Sequence, residues 1–198
     1  MKLIKKIGFL FLILVNFCNE SVKSQSSFYS SLADSAATLT RDRVVYDPAY
    51  FSIPYPNGDV PKGKGVCTDV VIRAYRKMGV DLQKEIHEDM AANFSLYPKN
   101  WGLSKTDKNI DHRRVPNMMV FFARHGSKKP ITQNPEDYNP GDIVCWNLSG
   151  GITHIGIISN KESSDGKRPL IIHNIGAGQV FDDVLFDFKI IRHHAYSK

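Results

Sequence analysis

Among side chains able to do covalent chemistry, Cys67 has the most informative setting. It follows Gly63-Lys64-Gly65-Val66 and opens a run in which Val66, Val70, Ala74 and Met78 recur at every fourth position, with Val71 and Tyr75 alongside. That spacing predicts a buried amphipathic helix over Val66 to Met78, closed by Gly79 in the left-handed conformation that ends many helices. A thiol on the opening turn of a helix lies beside unpaired N–H groups and the positive end of the dipole. Both favour the thiolate, which is the attacking species, and the same N–H groups can hold an oxyanion. Gly63 and Gly65 let a substrate approach the backbone closely, although a Gly-Lys-Gly stretch also reads as a plain flexible loop. Cys145 differs, because the run Ile143-Val144-Cys145-Trp146 makes it a small buried hydrophobe. A Cys67–Cys145 disulfide is the competing expectation for an exported chain.

A thiol nucleophile needs a base, and of the 7 histidines His154 is best placed. It opens a strand after Gly150-Gly151, within Thr153-His154-Ile155-Gly156-Ile157, at the rim of the expected sheet. Alternation puts His154 and Gly156 on one face, where the glycine is expected to leave room for the cysteine-bearing helix. A strand-end histidine simply exposed to water is the plainer reading. The next strand, Ile171-Ile172-His173-Asn174-Ile175, offers two residues to fix the tautomer and orientation of an imidazole base. A hairpin centred on Ser164 faces His154 with Asn174, and a one-residue shift faces it with His173. Register decides between them, and sequence leaves it open.

A third cluster, Asp111-His112-Arg113-Arg114, precedes a predicted helix. Two adjacent guanidinium groups can clamp a substrate carboxylate bidentately. An internal Asp–Arg ion pair in a surface turn is the bland alternative.

These residues need elements to position them. Phe28 to Leu39 reads as a small-residue amphipathic helix, and Tyr46 to Lys64, rich in proline and glycine, as a long irregular loop of the kind that is often functional. Helices are predicted from Asp81 to Phe94 and from Pro116 to His125, the latter stopped by Gly126. After the turn Asn139-Pro140-Gly141-Asp142, Ile- and Val-rich runs predict strands at Ile143 to Leu148, Thr153 to Ser159, Leu170 to Ile175, Gln179 to Leu185 and Phe188 to His194. Short connections make the sheet antiparallel, and helices before strands give an α+β class.

Apolar residues at 42% and charged residues at 23% place the chain among ordinary globular proteins rather than disordered ones, so one domain over residues 25–198 is expected. Lys2, Lys5 and Lys6, the apolar run Ile7 to Val15 and a polar stretch to Ser26 have the shape of a signal peptide over residues 1–24. The run is too short to span a bilayer, which takes roughly 20 residues, so no stable membrane insertion is expected. Lipidation at Cys18 is the less favoured alternative, because Asn16 and Phe17 are not small. Removing that segment takes away four lysines and Glu20, and the net charge falls from +6 to +3. Nothing resembles a basic cluster interleaved with aromatics, which argues against nucleic acid, while mild basicity suits an anionic cell wall. The expected location is periplasmic or extracellular.

The helix-opening cysteine in Gly65-Val66-Cys67-Thr68-Asp69, the turn and strand Pro140-Gly141-Asp142-Ile143-Val144, the strand His154-Ile155-Gly156-Ile157 and the following His173 together resemble the NlpC-type cell-wall peptidases. These form a bacterial branch of the papain-like superfamily, and the match covers mainly residues 60–185. The resemblance implies a papain-like fold, with a nucleophile helix packed on an antiparallel sheet of about five strands and extra N-terminal helices. It also implies Cys67 as nucleophile, His154 as general base and His173 as its orienting partner. The chain departs from the pattern at Val66-Cys67-Thr68, where the family carries Asp-Cys-Ser, and in Asn109 to Asn117, which matches none of its motifs. Its text is closer to an uncharacterised group of exported bacterial proteins beside those peptidases.

The expected activity is therefore that of a secreted, monomeric cysteine amidase or peptidase acting on peptidoglycan peptide or a related amide, without cofactor or metal. Two other classes stay open. One is a zinc-binding hydrolase using Cys67, His154, His173 and His112. The other is a non-catalytic wall-binding module of the same fold.

Overall fold

The fourfold apolar spacing after Val66 produces α2 (Cys67–Lys77), whose Val70, Val71, Ala74 and Tyr75 are fully buried. Burying each of these Val side chains contributes roughly 1.5–3 kcal/mol, enough to fix which face turns inward. Gly79 closes the helix at φ 78°, beyond the cap residue Met78. The computed structural model describes residue 25 and residues 27–198. The expected signal segment 1–24, Cys18 included, lies outside the described residues.

Three further helices surround α2: α1 (27–39), α3 (Leu82–Ala92) and α4 (Val115–His125). Asp81 starts α3 by accepting a 3.1 Å bond from the Lys84 N–H, and Pro116 sits in the first turn of α4, where its missing N–H costs nothing. Leu32, Ala36, Ile86, Met118 and Phe122 from these helices form one apolar core with α2 and with Ile143, Cys145, Ile155, Ile157 and Ile172 of the sheet. A second, smaller core on the opposite sheet face gathers Tyr138, Val144, Trp146, Ile158, Ile171 and Leu185.

That sheet has six antiparallel strands: β3 (Ser127–Lys128), β4 (Ile143–Asn147), β5 (Thr153–Glu162), β6 (Pro169–His173), β7 (Val180–Asp182) and β8 (Lys189–Ala195). Their spatial order is β3-β8-β4-β5-β6-β7. The five expected strands are all present, and the additional β3 pairs at the edge with β8. The turn before β4 closes through a 3.0 Å bond from the Asp142 N–H to the Asn139 carbonyl, with Gly141 at φ 84°.

The long loop is pinned at its ends rather than free. Strands β1 (Val45–Tyr46) and β2 (Lys64–Gly65) pair in parallel, with Tyr46 opposite Gly65. The pairing brings Tyr46 and the approach to Cys67 together. Among the described residues no helix is long and apolar enough to cross a membrane.

Candidate active site

Cys67 is held at the mouth of α2 by side chains that lock the first turn. Asp69, three residues into the helix, accepts a 2.7 Å bond from the Val66 N–H, capping one of the orphan donors of the helix start. Arg113 grips the same carboxylate with a fork, donating from Nε to Oδ1 at 2.9 Å and from Nη2 to Oδ2 at 3.1 Å. Both side chains are almost completely buried, at 2% and 3% exposure. Arg113 also donates to the Ala49 carbonyl at 3.1 Å, so one guanidinium ties the long loop to the helix mouth. From the sheet side, Asn174 Nδ2 donates to the Gly65 carbonyl at 3.2 Å.

Cys67 itself is buried, and so is Cys145; both are free thiols. The backbone N–H of Ile155, the residue that follows His154, and those of Thr68 and of Cys67 itself favour the thiolate form of the Cys67 sulfur. Loss of water outweighs these donors: burial pushes the thiol up to about 12, with the Asp69 charge adding to the rise. The expectation of a thiolate already favoured by the helix start is therefore corrected. The dipole contributes, but desolvation dominates.

His154 lies at 3% exposure, inside the sheet end rather than at an open rim. Its Nε2 is 2.8 Å from His173 Nδ1, and the two rings meet edge to face. Strands β5 and β6 pair Ile157 with Ile172 and Ile158 with Ile171. Continued outward, that register sets Gly156 opposite His173, so His154 meets His173 diagonally rather than directly. A Cβ at Gly156 would stand 2.6 Å from Ile171 Cγ2 and 3.2 Å from His173 Cβ. The glycine therefore makes room for the neighbouring strand's side chains and not, as expected, for the cysteine helix, which packs on the opposite face with Ile155 and Ile157.

Beyond His173, its Nε2 stands 3.5 Å from Asp182 Oδ2 without making a hydrogen bond. One arrangement of protons leaves a lone pair on His154 Nδ1. In it, His154 Nε2–H donates to His173 Nδ1, and His173 Nε2–H points at the Asp182 carboxylate. Burial lowers the His154 imidazole to about 3, with His173 adding to the fall, and burial lowers His173 as well. Thiol and imidazole are thus both neutral near pH 7, and no hydrogen bond joins Cys67 to His154.

The remaining predicted residues separate. Asn174 serves the Gly65 backbone, while His173 takes the place beside His154. Asp111 Oδ2 accepts from the Asp107 N–H at 2.8 Å and faces His87 Nδ1 at 2.9 Å, inside the protein. Its expected pairing with an adjacent arginine gives way to the longer-range Asp69–Arg113 pair. His112 is buried with Nδ1 unbonded, and burial lowers it to about 3. Among the described residues no three His, Cys, Asp or Glu side chains are placed to hold a metal ion together.

A cavity of about 190 Å³ opens beside Cys67, lined by Tyr46, Trp101, Arg114 and Thr153 as well as the cysteine. Sequence reasoning singled out neither Tyr46 nor Trp101, because each stands in a proline- or glycine-rich loop where nothing in the local pattern marks an aromatic for a site. Asp182 was equally hidden, since only strand pairing brings it to His173.

The family described as a domain of unknown function, DUF1287, matches residues 33–196. A relative from Escherichia coli (strain K12), named "Uncharacterized protein YijF", is 47% identical over 194 residues, covering 93% of this chain and 94% of that protein. No solved structure matches.

Proposed function

The chain belongs to the DUF1287 family, a domain of unknown function by its own description, and from the arrangement around Cys67 we propose that it is a papain-like cysteine hydrolase cleaving an amide. One observation carries the reading: a helix-mouth thiol lies where the Ile155 amide favours its thiolate, and the residue before Ile155 in the chain is His154, whose imidazole is oriented by a second imidazole at 2.8 Å. Orientation through Nε2 leaves His154 Nδ1 as the nitrogen free to take a proton.

Because both groups are neutral, the proton moves with the attack rather than before it. His154 shares its sheet face with Gly156 while α2 packs on the other, so its ring swings round the strand end to bring Nδ1 within hydrogen-bonding reach of Sγ as the acyl group enters; the S–H proton then passes to His154 while the sulfur–carbon bond forms. First-turn N–H groups of α2 receive the oxyanion. His154 then protonates the leaving nitrogen as the carbon–nitrogen bond breaks, and water hydrolyses the thioester by the reverse proton path. His173, backed by Asp182, holds the imidazole in the required tautomer.

The signal-like segment at Lys2 to Ser24 and the resemblance to NlpC-type peptidases support an exported enzyme acting on peptidoglycan peptides. Digestion of purified peptidoglycan, with products identified by mass, tests this. Wild type is expected to release fragments with new amine and carboxyl ends, and Cys67→Ala to release none; equal release by both proteins rejects the proposal.

The depth of Cys67 favours one other reading, a wall-binding module without catalysis. Binding to peptidoglycan by wild type and Cys67→Ala alike, with no product from either, would decide for it.

A further inference from the structure

Arg114 has no carboxylate, although arginines in comparable surroundings do. Among the described residues, Arg73 and Arg76 share Asp59, Arg113 holds Asp69 and Arg168 holds Asp183. Arg114 makes no ion pair, and its Nη1 is buried without a hydrogen-bond partner. Its Cζ lies 4.3 Å from the Trp101 ring centroid.

Trp101 is unusual in its own right, 60% exposed and held at φ 65°. A guanidinium lying over an aromatic ring keeps its N–H edges free, and those edges match a carboxylate in a planar fork. The cavity beside Cys67 is lined by both Arg114 and Trp101, and no Asp or Glu lines it. Arg113, the other cation there, is already neutralised by Asp69.

We infer that Arg114, backed by Trp101, forms an anion subsite that selects amide substrates carrying a free carboxylate within about one residue of the scissile bond, as a cavity this small allows few atoms between the two. The inference rests on Cys67 as nucleophile for its meaning in catalysis, but the anion site itself does not require it. It also divides the arginine pair: Arg113 builds the helix mouth, and Arg114 reads the substrate.

Iodoacetate and iodoacetamide test the subsite, because they deliver the same carbon to a thiol and differ in charge. With the full chain at fixed pH, alkylation rates at Cys67 and Cys145 are read by peptide mass for wild type and Arg114→Gln. The expected result is an iodoacetate-to-iodoacetamide ratio at Cys67 that falls about tenfold or more in Arg114→Gln, in line with the loss of a charged hydrogen bond, while the iodoacetamide rate holds. An unchanged ratio overturns the subsite and leaves the hydrolase reading standing.

If neither reagent reaches Cys67 in either protein, the nucleophile reading falls, and the subsite is decided by titrating glutarate against neutral glutaramide. A change in Trp emission with glutarate alone, absent in Arg114→Gln and in Trp101→Phe, supports it. No change in wild type overturns it.

Discussion

At Cys67, the Ile155 amide and the N–H groups of the first helical turn favour a thiolate, while removal from water opposes it more strongly and pushes the thiol up to about 12. With the thiol so raised, the thiolate fraction gains tenfold for each unit of pH all the way from 7 to 10. Alkylation of Cys67 by iodoacetamide is expected to climb across that range without the plateau near pH 8.5 that an ordinary thiol begins to show. A plateau at or below pH 8 would mean that the helix start has won and Cys67 rests as thiolate. The acceptor matters correspondingly more. His154→Ala is expected to lower peptidoglycan turnover by about 10²–10⁴-fold, with the thermal midpoint read alongside to exclude unfolding. His173→Ala should lower turnover too, and His173→Asn should recover part of it, because an amide can still accept from His154 Nε2–H. Asp182 is 48% exposed and 3.5 Å away, so Asp182→Asn should change turnover by less than about threefold, the range of weak exposed pairs.

Helix α2 presents the sulfur only if its mouth is fixed, and that rests on the Asp69–Arg113 fork. Removing one partner of so buried a pair leaves the other charge without compensation. Asp69→Ala is therefore expected to cost about 3–5 kcal/mol in denaturant unfolding, with Arg113→Ala similar and the double variant well short of their sum. In the sheet, Gly156→Ala places a methyl where Ile171 Cγ2 already stands, costing about 1–3 kcal/mol and turning His173 away from His154. These elements also mark how far the sequence could be read. Period-four spacing located α2, start and stop signals located α3 and α4, and Ile/Val patterning located strands β4 to β8, because caps and burial on one face are local properties. The His173 or Asn174 choice was not local: it depended on where β5 pairs with β6, and the actual register was offset the other way from the one that faces His154 with His173. The Asp69–Arg113 pair spans 44 residues, and the β1–β2 pairing closes the proline-rich loop. No periodicity signals contacts of that kind, which is why Arg113 and Arg114 looked equivalent in the sequence and proved different in space.

Across the whole molecule, buried neutral histidines link folding to acid. His112 and His154 are lowered to about 3 and His194 to about 4, chiefly by burial, and His173 is lowered too. The unfolded chain takes up these protons near the ordinary histidine value of about 6.5, while in the folded chain His112, His154 and His194 resist until about 4 or below and His173 is shifted in the same direction. Between those values the unfolded state binds more protons, so stability is fully present above pH 6.5 and is lost as the pH falls. Each such histidine adds at most about 1.4 kcal/mol per pH unit to the slope. His194 allows this to be tested away from the candidate site. It is fully buried with both ring nitrogens unbonded, beside Phe122 at 6.4 Å between ring centroids. His194→Phe keeps an aromatic ring there and removes one of the linked protons. Urea midpoints measured from pH 7 to pH 4.5 should then fall less steeply than in wild type, with iodoacetamide labelling of Cys67 unchanged. An identical slope in the two proteins would show that His194 protonates in the folded chain as readily as in the unfolded one, and would assign the acid sensitivity to the remaining three.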